Sequence, residues 1–352
     1  MLIDIALYYV GGRGGVETVT IKVLKWLEKK GHKVRLLMAY PPPYKEWINS
    51  IGEVYYYGRN IQNGTDDYLA EGYRILMEKI GRPDVCIAAH IPSQSYICNL
   101  ALNYDHSKVK VPVLSWLHGD INIYRNPQLI ANATAHLAIS SMVKDGIRAY
   151  DKYKRIYIVN NPIEINKDNI IKRASEDVVK IVSIGRLEEE KNLSMLLHAL
   201  RKIKGRWQAT IIGEGSKRNV LEKIGEILKI NNNITWLGWK DEPWKEIKEA
   251  SICISTSKTE GFSMILVEAL ARGIPVISTK CGGPIDIVQP GVNGWLVEKK
   301  DYFKIAEIIN DIIQKRIQLP SQETCIKSVE KFAEDKVIGN IEKIIINEVR
   351  QL

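Results

Sequence analysis

The sequence predicts an α/β protein built from two doubly wound parallel sheets, each covered by helices. Short, fully apolar runs alternate with longer amphipathic ones, the pattern of strands buried on both faces and helices laid over them. The alternation stops at a polar, charged stretch, residues 163–177 (IEINKDNIIKRASED), and then restarts. At roughly 100–200 residues per domain, a chain of 352 residues accommodates two such domains.

The first half opens with a strand from Leu2 to Val10, followed by the glycine loop Gly11-Gly12-Arg13-Gly14-Gly15. A helix from about Val16 to Lys30 comes next, with Val16, Val19, Val23, Leu24 and Leu27 at helical spacing, and Gly31 ends it. Further strands are expected from Val34, Val85, Val111, His136 and Ile156. Residues 163–177 are read as the inter-domain linker. After it, strands are expected from Lys180, Trp207, Ile234, Ser251 and Ile274, and the chain from Gln322 onward reads as helical. The expected division is 1–165 and 166–335, with 336–352 a terminal helix packing back on the first domain.

An apolar fraction of 45% and a charged fraction of 26% exclude a largely disordered chain. No run approaches the ~18 consecutive apolar residues of a membrane span. The N-terminal MLIDIALYYVGG is read as a strand rather than a signal peptide, because it lacks a basic leader and a small-residue cleavage site and carries Asp4 inside the apolar run. The five cysteines are far apart with no C-x-x-C pair, which speaks against a disulfide framework or a zinc site and fits a reducing cytosol. The net charge of +9 suits a basic soluble enzyme, an anionic ligand or an anionic membrane surface. It is spread over both halves, so no nucleic-acid partner is expected.

In open parallel sheets ligands bind at the carboxyl ends of strands, so the residues there carry the functional argument. The Gly11–Gly15 loop joins a strand to a helix, but Glu17 stands where a dinucleotide fingerprint needs its third glycine. It is either a tight turn or a close approach to a phosphate or sugar. Gly213-Glu214-Gly215 fails the same test, with Arg218 at the third position. His118 ends the strand of SWLHGD, where it either hydrogen-bonds a sugar or phosphate oxygen or is simply buried; His90 ends another strand, with the structural reading favoured. Arg186 and Lys191 in GRLEEEKN either clamp a diphosphate or neutralise Glu188, Glu189 and Glu190. Glu260 and Glu268 are separated by seven residues. A helix starting over Gly261–Met264 would offer free amides to an anion and put Glu268 on the face of Glu260 two turns on. A carboxylate there suits the vicinal hydroxyls of a ribose, although two glutamates at this spacing also occur on any solvated helix.

The string Glu260-GFSMILV-Glu268 resembles the E-x7-E signature of retaining glycosyltransferases of the GT-B fold, family 4. The resemblance covers nearly the whole chain. GGRGGVE looks like the family's glycine loop, SWLHGD its acceptor-domain histidine segment, NNPIE its hinge entry and GRLEEEKN its G-R-x-x-x-x-K clamp, with IIGEGSKRNVLEKI, ITWLGW and CGGPIDIVQPGVNGWLV in order. Within the family, HLAISS, WLGWKDEPW and GPIDIVQPGVNGWL look most like the bacterial lipopolysaccharide-core hexosyltransferases, α-1,6-galactosyltransferases among them.

The resemblance implies two Rossmann-like domains facing a central cleft and transfer of galactose or glucose from a UDP-sugar to a lipid-linked or polysaccharide acceptor. It implies that Arg186 and Lys191 hold the diphosphate and that Glu268 binds the ribose. Glu260, with the amides of Gly261, Phe262, Ser263 and Met264, would position the donor sugar and α-phosphate. Trp239 and Lys240 would face the base, Gly14 and Gly15 the diphosphate or sugar, and His118 the sugar. The D-x-D metal motif of the other glycosyltransferase fold is absent, so no metal and no cofactor are expected, the cations serving instead. The implied route is front-face attack with retention, the departing phosphate deprotonating the acceptor; Glu260 is the one carboxylate considered for a covalent route. The competing readings are a UDP-GlcNAc 2-epimerase-like enzyme and a catalytically silent sugar-nucleotide-binding protein. Lys22, Lys25, Lys29 and Lys30 around Trp26, with Trp47 and Tyr55–Tyr57 nearby, suggest either a cytoplasmic enzyme held peripherally on an anionic membrane or a solvated helix face with the aromatics packed inside.

Overall fold

The computed structural model describes residues 1–8, 10–11, 14–58, 64–175 and 177–351. The chain forms two compact units, one of Met1–Pro162 with Glu334–Leu352 and one of Ile163–Ala333.

In the first unit, strands β1 (Leu2–Leu7), β2 (Lys33–Met38), β3 (Val54–Tyr56), β4 (Val85–His90), β5 (Val113–Leu117), β6 (Ala135–Ala138) and β7 (Ile156–Ile158) alternate with helices α1 (Gly15–Lys29), α2 (Asp66–Ile80), α3 (Pro92–Leu102) and α4 (Ser141–Tyr150). All pairings are parallel, in the order β3-β2-β1-β4-β5-β6-β7. The near-continuous burial of β1, β2 and β4 is why their sequences read as apolar runs rather than alternating ones. Strand β3 was not anticipated: its Tyr55 and Tyr56 belong to a three-residue edge strand, and Tyr57 next to it is buried, donating to Leu7 O and to Gln94. Tyr57 is therefore core material and not part of a membrane-facing surface.

Asp4 interrupts the apolar pattern of β1 because it has a partner. Arg35, its register neighbour on β2, donates to both carboxylate oxygens at 2.6 and 3.0 Å, and Tyr73 adds a third bond at 2.9 Å. Both charged side chains are essentially unexposed.

The second unit comprises β8 (Lys172–Arg173), β9 (Val179–Ile184), α5 (Leu193–Leu200), β10 (Trp207–Ile212), α6 (Arg218–Ile227), β11 (Ile234–Gly238), β12 (Glu249–Ala250), β13 (Ile252–Ser255), α7 (Met264–Ala271), β14 (Val276–Thr279), α8 (Pro284–Ile287), β15 (Gly294–Val297), α9 (Tyr302–Ile313) and α10 (Gln322–Val329). Its main sheet is parallel in the order β11-β10-β9-β13-β14-β15. Strand β15, not anticipated, needs its glycine: a Cβ on Gly294 would lie 2.1 Å from Val276 O of the neighbouring strand.

The stretch 163–177 is not a free linker. Strand β8 pairs with β12, and Arg173 donates to the carbonyls of Ser251, Gly273 and Pro320, binding the polar segment onto the second unit. The boundary between the units falls at its start, and Arg173 is the charge it turns inward, while Glu164, Lys167, Asp168, Lys172 and Asp177 are exposed.

The final helix, α11 (Glu334–Arg350), belongs to the first unit. Glu334 meets Lys22 at 2.5 Å, Glu342 meets His32 at 3.1 Å, and buried Glu348 takes Arg155 at 2.8 and 2.7 Å and Tyr157 at 2.7 Å. Among the described residues no helix is long and apolar enough to cross a membrane.

Candidate active site

Each sheet has one place where the strand order reverses, and there the crossovers leave on opposite faces and open a crevice at the strand ends. In the second unit this is between β9 and β13. A pocket lies there, lined by Gly185, Arg186 and Lys191 after β9, by Ser255 at the end of β13 with Thr256, Ser257 and Glu260 after it, and by Ile265 of α7.

The two loops are fixed to one another. The Thr256 hydroxyl donates to the carbonyls of Lys191 and Asn192, and Lys258 N donates to Glu190 O at 2.7 Å. Behind Arg186, Gly213 and Gly215 do the work that a nucleotide fingerprint would not require. A Cβ on Gly213 would sit 1.9 Å from Gly185 O, and one on Gly215 2.5 Å from Leu187 O. The Gly213-Glu214-Gly215 turn thus supports the cationic loop, with Leu187 N donating to Glu214 O at 2.8 Å and Lys217 N to Leu187 O at 2.9 Å.

Lys191 Nζ lies 2.5 Å from Glu260 Oε1, which also accepts from Ser257 Oγ at 2.9 Å. Arg186 donates to Glu190 at 2.8 Å. The two cations therefore do not stand apart from the glutamates, and the neutralising role considered for Glu190 is realised. Glu188 instead accepts from the amide and hydroxyl of Ser216, and Glu189 pairs with Lys258 and Lys217. An ammonium has three donors and a guanidinium five, so both cations keep donor capacity beyond these pairs.

Helix α7 begins at Met264, later than anticipated, so Glu260 and Glu268 do not share a helical face. Glu260, Gly261, Phe262 and Ser263 form a loop held from behind: Gly283 N donates to Glu260 O at 3.0 Å, and a Cβ on Gly283 would lie 2.3 Å from Phe262 Cα. Phe262 packs edge-on against Phe332 at 5.2 Å. Ser263, the residue before the helix, has φ +83, a left-handed conformation that a non-glycine residue adopts under constraint. Its buried hydroxyl has no hydrogen-bond partner among the described residues. Glu268 sits mid-helix, and Trp244 Nε1 donates to its Oε2 at 2.8 Å. Trp239 is 41% exposed with its indole N–H on Asp241 at 3.3 Å, and Lys240 pairs with Glu246 at 3.4 Å.

In the first unit the order reverses between β1 and β4. Gly14 precedes α1 in extended conformation and Gly15 begins it, while Gly12 and Arg13 of the same loop lie outside the described residues. A Cβ on Gly14 would stand 2.8 Å from the Oε2 of Glu17, which is 6% exposed. That carboxylate in the first turn offsets the attraction of the helix end for a phosphate and makes the spot better suited to hydroxyls. His118 follows β5, its ring 4.5 Å from Trp116. Its Nε2 is shut off from solvent and has no partner among the described residues. Burial, and then the nearby His90 ring, push the His118 imidazole down to about 3, so it is neutral from pH 5 to pH 8. His90 itself holds φ +84.

A further constellation, invisible in the sequence, has the bonding order of a hydrolytic triad. Ser115 Oγ lies 2.7 Å from His136 Nδ1, and His136 Nε2 lies 3.1 Å from Asp151 Oδ2. Ser115 is 3% exposed and His136 0%, so no substrate reaches either; the three lock β5, β6 and the end of α4 together.

The residues that sequence reasoning missed are Thr256, Ser257 and Trp244. The first two lie in a polar run directly after a strand, a signal that was available. Trp244 lies in the WLGWKDEPW segment that carries the resemblance, but its contact with Glu268 spans 24 residues and no local pattern marks it.

Residues 13–167 match the family described as Glycosyltransferase Family 4, and residues 165–332 match Glycosyl transferases group 1. The lipopolysaccharide 1,6-galactosyltransferase of Escherichia coli K12 is 32% identical over 277 residues, 76% of each chain. That of Salmonella typhimurium LT2 is 28% identical over 97% of this chain and 98% of its own. Among solved structures, the lipopolysaccharide outer core galactosyltransferase WaaB in its apo form superposes with a TM-score of 0.86 at 26% identity, covering 99% of this chain and 100% of that one. HepE of Anabaena, solved in complex with UDP, shares the fold with a TM-score of 0.81 at 17% identity over 98% and 99% of the two chains.

Proposed function

The chain belongs to the family 4, group 1 glycosyltransferases of GT-B fold, and from that premise we propose that it transfers a hexose, galactose or glucose, from a UDP-sugar to a lipopolysaccharide-core acceptor. The observation that carries the donor half of this reading is the pairing of Lys191 with Glu260 beside Arg186 at the strand-order reversal of the second unit.

The chemistry follows from these groups. As the glycosidic bond breaks, negative charge develops on the diphosphate, and fixed cations stabilise that charge more than they stabilise the bound substrate. Lys191 and Arg186 supply the cations, and Glu260, itself held by Ser257, keeps the ammonium in place. The amides at the start of α7 add partial positive charge. Glu268 accepts the ribose hydroxyls, and Trp239 and Lys240 border the base. In the first unit, Gly14, Gly15 and the neutral imidazole of His118 suit sugar hydroxyls. Transfer proceeds with retention by front-face attack, without metal or cofactor, the leaving phosphate taking the acceptor proton.

Thermal shift tests the donor site. UDP at about 100 times its Kd is expected to raise the Tm by roughly 5–10 °C, while GDP, ADP and CDP do much less. The shift persists in EDTA and is lost in Glu268→Ala. A GDP- or ADP-specific shift overturns the donor assignment, and loss of turnover in EDTA overturns metal independence. The anomeric configuration of the product, read by NMR, checks retention. An epimerase would convert UDP-GlcNAc without acceptor, and a silent binder would show the shift without turnover.

Peripheral membrane association rests on a smaller patch than the sequence implied. Lys22 is engaged by Glu334, while Lys25, Lys29 and Lys30 are exposed, Lys30 lying 5.1 Å from the Trp26 ring centroid. Co-sedimentation with anionic vesicles at low salt, weakened by Lys25→Glu with Lys29→Glu, is the expected result; no binding removes this part of the reading.

A further inference from the structure

Resting on the donor-site reading above, we propose that Trp244 is a positioning residue for the nucleotide's ribose, its indole N–H holding the Glu268 carboxylate in the orientation that receives the two vicinal hydroxyls.

A glutamate on a helix is a flexible acceptor, and a diol is recognised well only when the carboxylate plane is fixed before binding. Here the second support is explicit. Trp244 Nε1 donates to Glu268 Oε2 at 2.8 Å, a hydrogen bond strengthened by the carboxylate's charge. The donor is neutral, so it orients the carboxylate without neutralising it, as a lysine or arginine at this place would.

The indole is itself held. Trp244 is 8% exposed and lies in a tight 3-10 turn over Pro243–Glu246. Arg272 stacks on its ring with the guanidinium carbon 5.1 Å from the centroid, and Nη1 of Arg272 donates to the Glu268 carbonyl at 3.1 Å. Arg272 thus links the ring to the helix that carries Glu268. Trp244 is also five residues beyond Trp239 in the same loop, so the segment bordering the base and the carboxylate for the ribose are set by one structural unit.

The test is UDP binding by titration calorimetry together with steady-state kinetics on the full chain. Trp244→Phe keeps a six-membered ring for Arg272 and removes the N–H donor together with the five-membered half of the indole. It is expected to weaken UDP binding about tenfold and to raise KM for the UDP-sugar similarly, with kcat changed less than about threefold. Trp244→His, which keeps an aromatic N–H, is expected to recover part of the affinity and serves as the second variant if Trp244→Phe does not fold. Binding of 2′-deoxy-UDP, which lacks one hydroxyl of the diol, is expected to be the same in wild type and Trp244→Phe. The double variant with Glu268→Gln is expected to bind UDP no more weakly than Glu268→Gln alone. Undiminished UDP binding in Glu268→Gln means that the donor-site reading fails. Weakened binding in Glu268→Gln with unchanged binding in Trp244→Phe overturns the positioning role alone, as does equal weakening of UDP and 2′-deoxy-UDP.

Discussion

Lys191→Met is expected to lower kcat about 10²–10³-fold, the scale on which removal of one preorganised donor to developing charge acts. The effect is specific to Lys191 because the fold leaves that ammonium little freedom. Its backbone carbonyl is held by Thr256, and Nζ sits 2.5 Å from Glu260. Arg186 is the other cation on the pocket, but its side chain is 62% exposed, so Arg186→Met is expected to cause a smaller loss. The Lys191 variant also strands the Glu260 carboxylate, whose side chain is only 13% exposed. Comparing Lys191→Met combined with Glu260→Gln against Glu260→Gln alone separates the two causes. If the kinetic defect came from the stranded carboxylate, the double variant would match Glu260→Gln; if the cation itself serves the leaving group, it falls well below it. Retention of more than about a third of wild-type kcat in Lys191→Met would overturn the assignment.

The largest expected effect on stability is in the first unit. Asp4→Ala leaves Arg35 charged and buried, with Ile80 O, at 2.8 Å, and Met77 Sδ, at 3.7 Å, its remaining hydrogen-bond partners among the described residues. Breaking a buried ion pair from one side typically destabilises by about 3–5 kcal/mol. For a unit of this size, that lowers the Tm on the order of 10 °C. Asp4→Leu with Arg35→Met removes both charges and is expected to recover much of the loss, because two apolar side chains need no desolvated partner. Chemical denaturation of the three variants measures both terms. A loss under about 1 kcal/mol in Asp4→Ala would show that water reaches Arg35 in the folded protein.

This pair shows how far the sequence carries. Asp4 was visible as a charge inside an apolar run, but its partner was not, since Arg35 reads as one more residue of an apolar strand. The partner is decided by register: Asp4 and Arg35 are opposite one another on adjacent parallel strands, and a one-residue slip would turn them to opposite faces. Tyr57 failed for the same reason. A tyrosine run reads alike on an exposed edge and over a core, and only the pairing of β3 with β2 puts Tyr57 inside. The stretch 163–177 begins where the two units divide, but composition could not show that Arg173 within it binds three carbonyls of the second unit. In the site, Lys191 and Glu260 were each identified, but as members of different groups. Their contact spans 69 residues.

By itself, then, the sequence determined the two α/β halves, the parallel sense of their sheets and the strand ends at which chemistry-bearing side chains emerge. These follow from local periodicity, since a strand buried on both faces must be apolar throughout and a covering helix must carry an apolar stripe. The tertiary structure alone decided which charges meet, where α7 begins, that Glu260 faces Lys191, and that Trp244 supports Glu268. Those are matters of strand order. β9 lies between β10 and β13, so loops far apart in the chain leave the sheet side by side, and no periodicity within one segment encodes that neighbour.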